Sequence, residues 1–259
     1  MSIQVDENWW KDLFDEVYLL TDARSVCDEE LTCQEVDFIE GTLGLHRSAS
    51  VLDLCGGQGR HSLELSRRGF ENVTVLDYSR YLLDLGKKRA RQEELDTVFI
   101  QGDARNTGLV GQSFQFIIIM ASSFGYFANE DQNKRILNET LRLLTPKGTL
   151  LLDLPDRDRL LQNFKPFSHH EIDEDITVNR QRELGDDIIY HRETVISKRK
   201  GCMRDRTYCT RLYSPAKISD SMYSLGFSSV TCKRDFMSRE AEGDYGCMTN
   251  RMVVIARRS

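Results

Sequence analysis

No stretch of this 259-residue chain is apolar for long enough to cross a membrane as a helix, which takes about 20 consecutive residues. Basic residues are not in excess either. Lys and Arg number 35 against 41 Asp and Glu, a formal net charge of -6, and that balance argues against a large nucleic-acid footprint. The seven cysteines are odd in number and include no Cys-x-x-Cys pair, so neither a zinc site nor a disulfide scaffold is indicated. Reduced thiols in a cytoplasmic protein are the simpler expectation. The first ten residues, polar and aromatic, lack the apolar run of a signal peptide. Internal repeats and low-complexity linkers are absent as well. What remains is ordinary globular composition, 40% hydrophobic and 29% charged, at a length suited to one enlarged α/β domain or a domain with a cap.

The chain is organised around Ser50-Val51-Leu52-Asp53-Leu54-Cys55-Gly56-Gly57-Gln58-Gly59-Arg60. Val51, Leu52 and Leu54 make a short buried strand. Gly56, Gly57 and Gly59 follow at once, where the backbone must turn sharply and admit a ligand. His61 to Arg68 then has helical spacing. Asp77 ends the next apolar run, Val73-Thr74-Val75-Leu76, about 20 residues after the glycines, the separation at which a carboxylate in an α/β crossover meets a ribose. A third glycine is missing, since Ser62 stands where the dinucleotide fingerprint has one. Asp53 also speaks against a pyrophosphate on the helix N-terminus, which wants no carboxylate beside it. A sulfonium cofactor with a free amine tolerates that carboxylate.

The stretch Leu52–Gly59 resembles the first motif of class I S-adenosylmethionine-dependent methyltransferases. The resemblance continues through Leu76-Asp77-Tyr78-Ser79, Gln101-Gly102-Asp103-Ala104 and Leu144-Thr145-Pro146-Lys147-Gly148. It covers roughly residues 50–155 and implies an α/β, Rossmann-like, doubly wound seven-stranded sheet with the last strand antiparallel. It is closest to small-molecule members of the class, with S-adenosyl-L-methionine as cofactor and S-adenosyl-L-homocysteine as product.

Four regions are expected. Residues 1–47 read as a helical cap, with Trp9, Trp10, Leu13, Phe14, Val17 and Tyr18 at helical spacing and a second helix starting near Thr32. Residues 48–155 alternate strand and helix as the cofactor-binding core. Ile117, Ile118 and Ile119 are continuously apolar, as a central parallel strand should be. Residues 156–212 break the alternation with three β-rich runs, read as a three-stranded antiparallel insertion. In similar enzymes it is a lid; a dimerisation or stabilising sheet is the plainer reading. Residues 213–259 return to the core as a helix and a hairpin. A monomer or a homodimer fits equally.

The resemblance also supplies roles. Gly56, Gly57 and Gly59 let backbone approach the cofactor, Asp53 faces its amino group, and Asp77 accepts its ribose hydroxyls. Tyr78 lies along the adenine, and Asp103 with Ala104 takes the exocyclic amine. Met120 and Ala121 touch the methionine part, Arg60 pairs with its carboxylate, and Tyr18 of the cap reaches the same group. Strand ends of this fold carry the acceptor site. Ser123, Phe124 and Tyr126 follow the fourth strand there, Tyr126 also as a catalytic candidate. His169 and His170 open the insertion, and either is a candidate general base because its ordinary pKa is near neutrality; exposed hairpin histidines are the bland alternative. Arg211 and Tyr213 bridge lid and core, and Asp235 borders the pocket. Cys55 reads as a small buried residue, and no metal site is expected. The Asp/Asn-Pro-Pro-Tyr run of amino-methylating nucleic-acid enzymes is missing after the fourth strand, as is the acidic cluster of a magnesium-dependent catechol enzyme. A small-molecule acceptor, methylated at N or O, is the reading adopted. An RNA or protein methyltransferase and a non-catalytic cofactor-binding module are its alternatives, and a nicotinamide reductase is disfavoured.

Overall fold

Two helices precede the first strand. In the computed structural model, which describes residues 2–237 and 249–259, Trp9–Lys11 is a single 3-10 turn and α1 spans Glu16–Val26. The expected continuous helix from Trp9 is interrupted because Asp15 caps a new start, accepting from the amides of Val17 (2.8 Å) and Tyr18 (3.1 Å). Helix α2 is Glu29–Leu43, capped by the Asp28 side chain on the Leu31 amide and closed by Gly44 at φ 63°. It therefore begins three residues before Thr32, which lies inside its first turn.

The core sheet holds β1 (Ser50–Leu54), β2 (Asn72–Asp77), β3 (Val98–Gln101), β4 (Phe114–Ile119), β5 (Leu144–Pro155), β10 (Phe227–Phe236) and β11 (Arg251–Arg258). Their order is β10-β11-β5-β4-β1-β2-β3, with β1 to β5 parallel and β11 antiparallel to both neighbours. Helices α3 (Arg60–Arg67), α4 (Arg80–Gln92) and α5 (Glu130–Leu143) are the crossovers. The seven-stranded sheet is thus as expected; the segment joining its last two strands, 238–248, lies outside the described residues. Strand alternation splits the core. Leu52, Leu54, Ile117 and Ile119 pack under α5 and α7 (Pro215–Leu225), while Val51 and Ile118 pack under Val36 and Ile39 of α2. Strand order reverses between β1 and β4, and a crevice opens at that switch point.

The insertion follows α6 (Arg157–Gln162) and has four antiparallel strands, not three: β6 (Phe167–Glu171), β7 (Ile176–Gly185), β8 (Ile188–Ser197) and β9 (Gly201–Arg211), in that order. The added edge strand carries His169 and His170. The sheet packs on the cap, where Val178 and Val195 meet Val17, and Arg204 donates to the Leu13 carbonyl at 3.0 Å.

Candidate active site

Cys55 (φ 62°), Gly57 (φ 58°) and Gly59 (φ 72°) turn the chain from β1 into α3. A Cβ on Gly56 would lie 2.6 Å from Asp53 Cγ, so only glycine fits above that carboxylate. The turn borders a cleft of about 1010 Å³. The Gly57 amide donates to Asp77 Oδ2 and the Ser79 amide to Oδ1, each at 2.8 Å. Asp77 is thereby fixed with both oxygens oriented, while burial raises its carboxyl pKa more than these bonds lower it.

Asp53 is fully buried beneath the turn. Its Oδ2 accepts from Ser62 Oγ at 2.9 Å, and its Oδ1 has no hydrogen-bond partner among the described residues. Burial pushes its pKa up to about 7. A buried carboxylate oxygen with nothing to accept from is a site for a cation or donor. Arg60 borders the same end of the cleft, its Nη1 bound to Thr32 Oγ1 (2.9 Å) and its Nη2 to Glu35 (2.5 Å). Glu35 also meets His61 (2.8 Å) and Arg251 (2.6 Å), and Arg251 in turn grips Asp153. Burial alone would raise the Glu35 carboxyl, but His61, Arg60 and Arg251 hold it well below the usual range. Burial lowers His61 to about 4, so it is neutral near pH 7.

At the far end of the cleft, Tyr78 packs edge-on to Trp10 (4.6 Å), and Gly102, Asp103 and Ala104 line the wall. Asp103 is held by Arg105, whose guanidinium lies over Trp10 (4.8 Å) and Phe127 (4.7 Å). Burial would raise the Asp103 carboxyl; Arg105 outweighs it and lowers it.

A second cavity, about 830 Å³, lies between the cap, the end of β4 and the inserted sheet. Phe14, Tyr18, Val26, Ala121 and Tyr126 line both cavities and so form their shared wall. Burial raises the phenol pKa of Tyr18 and of Tyr126, so both keep their protons near pH 7. Ala121 and Ser122 are both held at positive φ (56° and 55°), a strained turn pinned by the Ser122 amide on Asp153. The buried Ser122 hydroxyl has no hydrogen-bond partner among the described residues. The inserted sheet contributes Arg180, Arg182, His191, Glu193 and Tyr208, with the His191 and Tyr208 rings stacked at 4.4 Å.

The expected cofactor residues that line the first cleft are Tyr18, Asp53, Gly56, Gly57, Arg60, Asp77, Tyr78, Asp103, Ala104, Met120 and Ala121. Gly59 shapes the turn behind them, its Cβ position blocked by Phe99 at 2.8 Å. Ser123 and Tyr126 line it as well. Cys55 does too, and is half-buried in the wall instead of lost in the core; burial raises its thiol well above the ordinary value. Other candidates fall elsewhere. His169 is exposed on the outer strand β6, bound to Asn179 (2.9 Å), and His170 is its neighbour there, so neither borders these cavities. Phe124 and Tyr213 pack against each other in the core at 5.5 Å. Arg211 ties β9 to the loop after β4, its amide on the Gly125 carbonyl (2.7 Å) and its side chain on the Ala128 carbonyl. Asp235 is half-exposed and pairs with Arg159 (2.7 Å). Sequence reasoning missed Arg105, His191 and the arginines of the inserted sheet. Their signal was the period-two spacing Arg180-x-Arg182 and His191-x-Glu193, polar residues at one register of a hairpin.

Residues 51–148 match the family Methyltransf_25, a methyltransferase domain. Over 225 residues the chain is 27% identical to a Bacillus subtilis (strain 168) protein named "Putative methyltransferase YqeM", covering 83% of this chain and 89% of that one. It is 33% identical over 130 residues to a glycine/sarcosine N-methyltransferase of Parasynechococcus marenigrum (strain WH8102), covering 49% of this chain and 45% of the relative. Among solved structures, the CcbJ methyltransferase from Streptomyces caelestis superposes with a TM-score of 0.76 at 18% identity, over 98% of this chain and 99% of that one, a likeness of fold.

Proposed function

We propose that this class I methyltransferase, with S-adenosyl-L-methionine as its cofactor, transfers the methyl group to a nitrogen or oxygen of a small molecule seated under the β lid. The observation that carries the reading is the shared wall of Phe14, Tyr18, Val26, Ala121 and Tyr126, on either side of which lie the first cleft and the second cavity. When bound, the cofactor supplies a methyl on a cationic sulfur, so the acceptor's lone pair forms the new bond while the sulfur–methyl pair returns to sulfur.

The chain's own residues bind and orient. The orphaned Asp53 Oδ1 and the bare Gly56 backbone fit an ammonium group above β1. Asp77 meets the ribose hydroxyls, Arg60 the carboxylate, and Tyr78 with Asp103 the adenine end. Ser122 and Tyr126 meet the acceptor, and cap and lid keep water out. Holding both partners in line supplies much of the rate, up to roughly 7–11 kcal/mol in well-oriented systems. His191, the imidazole of the second cavity, takes the acceptor's proton. Methylation of amines by the glycine/sarcosine relative supports a nitrogen acceptor. A cavity roofed by lid and cap suits a small molecule better than a macromolecular strand.

A thermal-shift assay tests this reading. S-adenosylhomocysteine at about 100 times its dissociation constant stabilises the chain by about 2.7 kcal/mol, and NADH does not. Asp77→Ala removes the shift. His191→Asn keeps it but slows turnover about 100-fold or more, as loss of a general base does. No shift with the nucleoside, or full turnover in His191→Asn, refutes the corresponding assignment.

A further inference from the structure

The backbone between the two cavities is bent into a shape that side chains resist. Ala121 and Ser122 both have positive φ, the only two consecutive residues to do so among the described residues. Such strained residues persist only where their surroundings over-determine them, and they gather at functional sites. Ala121 lines both cavities and Ser122 the second. The strain therefore falls on the seam between methyl donor and acceptor. Ser122 is 6% exposed, and its hydroxyl has no hydrogen-bond partner among the described residues.

What holds the turn lies beneath it. The Ser122 amide donates to Asp153 Oδ2 at 3.3 Å. Arg251 grips that carboxylate, its Nε 3.0 Å from Oδ1 and 3.1 Å from Oδ2. Asp153 on β5 stands opposite Val253 on β11, so Arg251 is its diagonal neighbour on the same face. Nη1 of Arg251 donates to Glu35 Oε1 at 2.6 Å, and Glu35 Oε2 holds Arg60 at 2.5 Å. Asp153, Arg251 and Glu35 are all fully buried. Stability alone is a poor reason for such a chain of charges. Desolvation offsets most of the attraction, and apolar residues of comparable volume often serve as well. Its two ends are more telling: Arg60 in the wall of the first cleft, and the strained turn at the seam.

We propose that Asp153, oriented by Arg251, is a positioning residue for methyl transfer, locking the Ala121–Ser122 turn so that the acceptor stays in line with the donor's methyl. This rests on the acceptor site proposed above. Neither Asp153 nor Arg251 lines either cavity, so both act through the turn and touch neither ligand. A turn anchored from below cannot rotate when ligands press on it from either side. In-line displacement depends on that, since a shift of about 1 Å costs roughly 100-fold in rate.

The test frees the turn without stranding a buried charge. Asp153→Leu combined with Arg251→Met replaces the pair by apolar side chains, while Glu35 keeps Arg60 and His61. Asp153→Asn combined with Arg251→Met is equally uncharged but returns an oxygen to the Ser122 amide. Turnover is read as S-adenosylhomocysteine released with a panel of small amines, amino alcohols and phenols. The first double variant is expected to lose roughly 100-fold in kcat with KM little changed. Calorimetry gives it the parent's affinity and stoichiometry for S-adenosylhomocysteine, which shows that it is folded. Its Ser122 amide exchanges hydrogen faster than the parent's. The second double variant recovers both rate and protection in part. Unaltered kcat in the first, or a second as slow as the first, overturns the proposal and leaves the acceptor reading standing. Loss of nucleoside binding in the first assigns the pair to folding alone and overturns it too. Nucleoside binding by the parent without turnover of any panel member overturns both.

Discussion

Asp53 is the residue whose chemistry is most open to measurement. Burial raises its carboxyl to about 7, and the ammonium group proposed to sit beside it calls for the ionised form. Binding below pH 7 must therefore expel a proton. Affinity for S-adenosylhomocysteine is expected to fall roughly tenfold per unit as pH drops below 7, and to be flat just above it. Asp53→Asn should bind more weakly and lose that slope, as calorimetry between pH 5.5 and 7.5 would reveal (about two units suffice). An unchanged slope in the variant would assign the proton elsewhere. At this scale the first cleft was legible because its signals are local: a glycine turn, and a carboxylate at a fixed distance after it. His191 and Arg182 were not legible. They meet only through cross-strand pairing, and their period-two spacing marks one face of the hairpin without saying that this face turns inward. Phe124 shows the converse, an aromatic in the right loop whose ring goes to the core beside Tyr213.

Elements reveal where packing overrides propensity. Gly41 in α2 has open space around its Cβ position, with nothing within 4 Å. Gly41→Ala should stabilise by up to about 1 kcal/mol through helix propensity alone. Gly86 in α4 invites the same exchange on propensity grounds, yet its Cβ would lie 2.4 Å from Phe99 Cε1 and 2.5 Å from the Gln58 carbonyl. Gly86→Ala should destabilise by about 1–3 kcal/mol and, by pushing the glycine turn, weaken nucleoside binding. Urea unfolding of the two variants side by side distinguishes propensity from packing; parallel gains would refute the close approach of α4 to the turn. Most strands and crossover helices were readable because apolar periodicity survives when one or both faces are buried. Strand β6 escaped notice since it is a polar edge with little buried on either side. The cap's first helix started late because a carboxylate at Asp15 competes for the amides of the following turn.

The whole molecule joins cap, core and C-terminal hairpin through the buried cluster of Glu35, Arg60, His61, Asp153 and Arg251. Its titration sets acid stability. His61, lowered to about 4, takes a proton in the unfolded chain first, so stability falls as pH drops from about 6.5 to 4. Asp53, raised to about 7, acts oppositely: the folded form holds its proton more tightly, so stability rises as pH drops from about 7 to 4. The two offset each other. Asp53→Asn should therefore lose more stability than the parent chain as pH drops from about 7 toward 4 in denaturant titrations. Equal acid sensitivity in both would remove His61 from this role. The second cavity was the least legible feature, because its walls come from residues near 14, 122, 191 and 208, which only the finished packing brings together. The same distances carry a consequence for biosynthesis. Arg251 is fully buried and binds Glu35 from 216 positions away, and it is the last member of its cluster to leave the ribosome. Until it arrives, Glu35 and Asp153 lack their common counter-ion. The growing polypeptide thus keeps its cap ajar, and the wall of the first cleft is locked only once Arg251 has emerged.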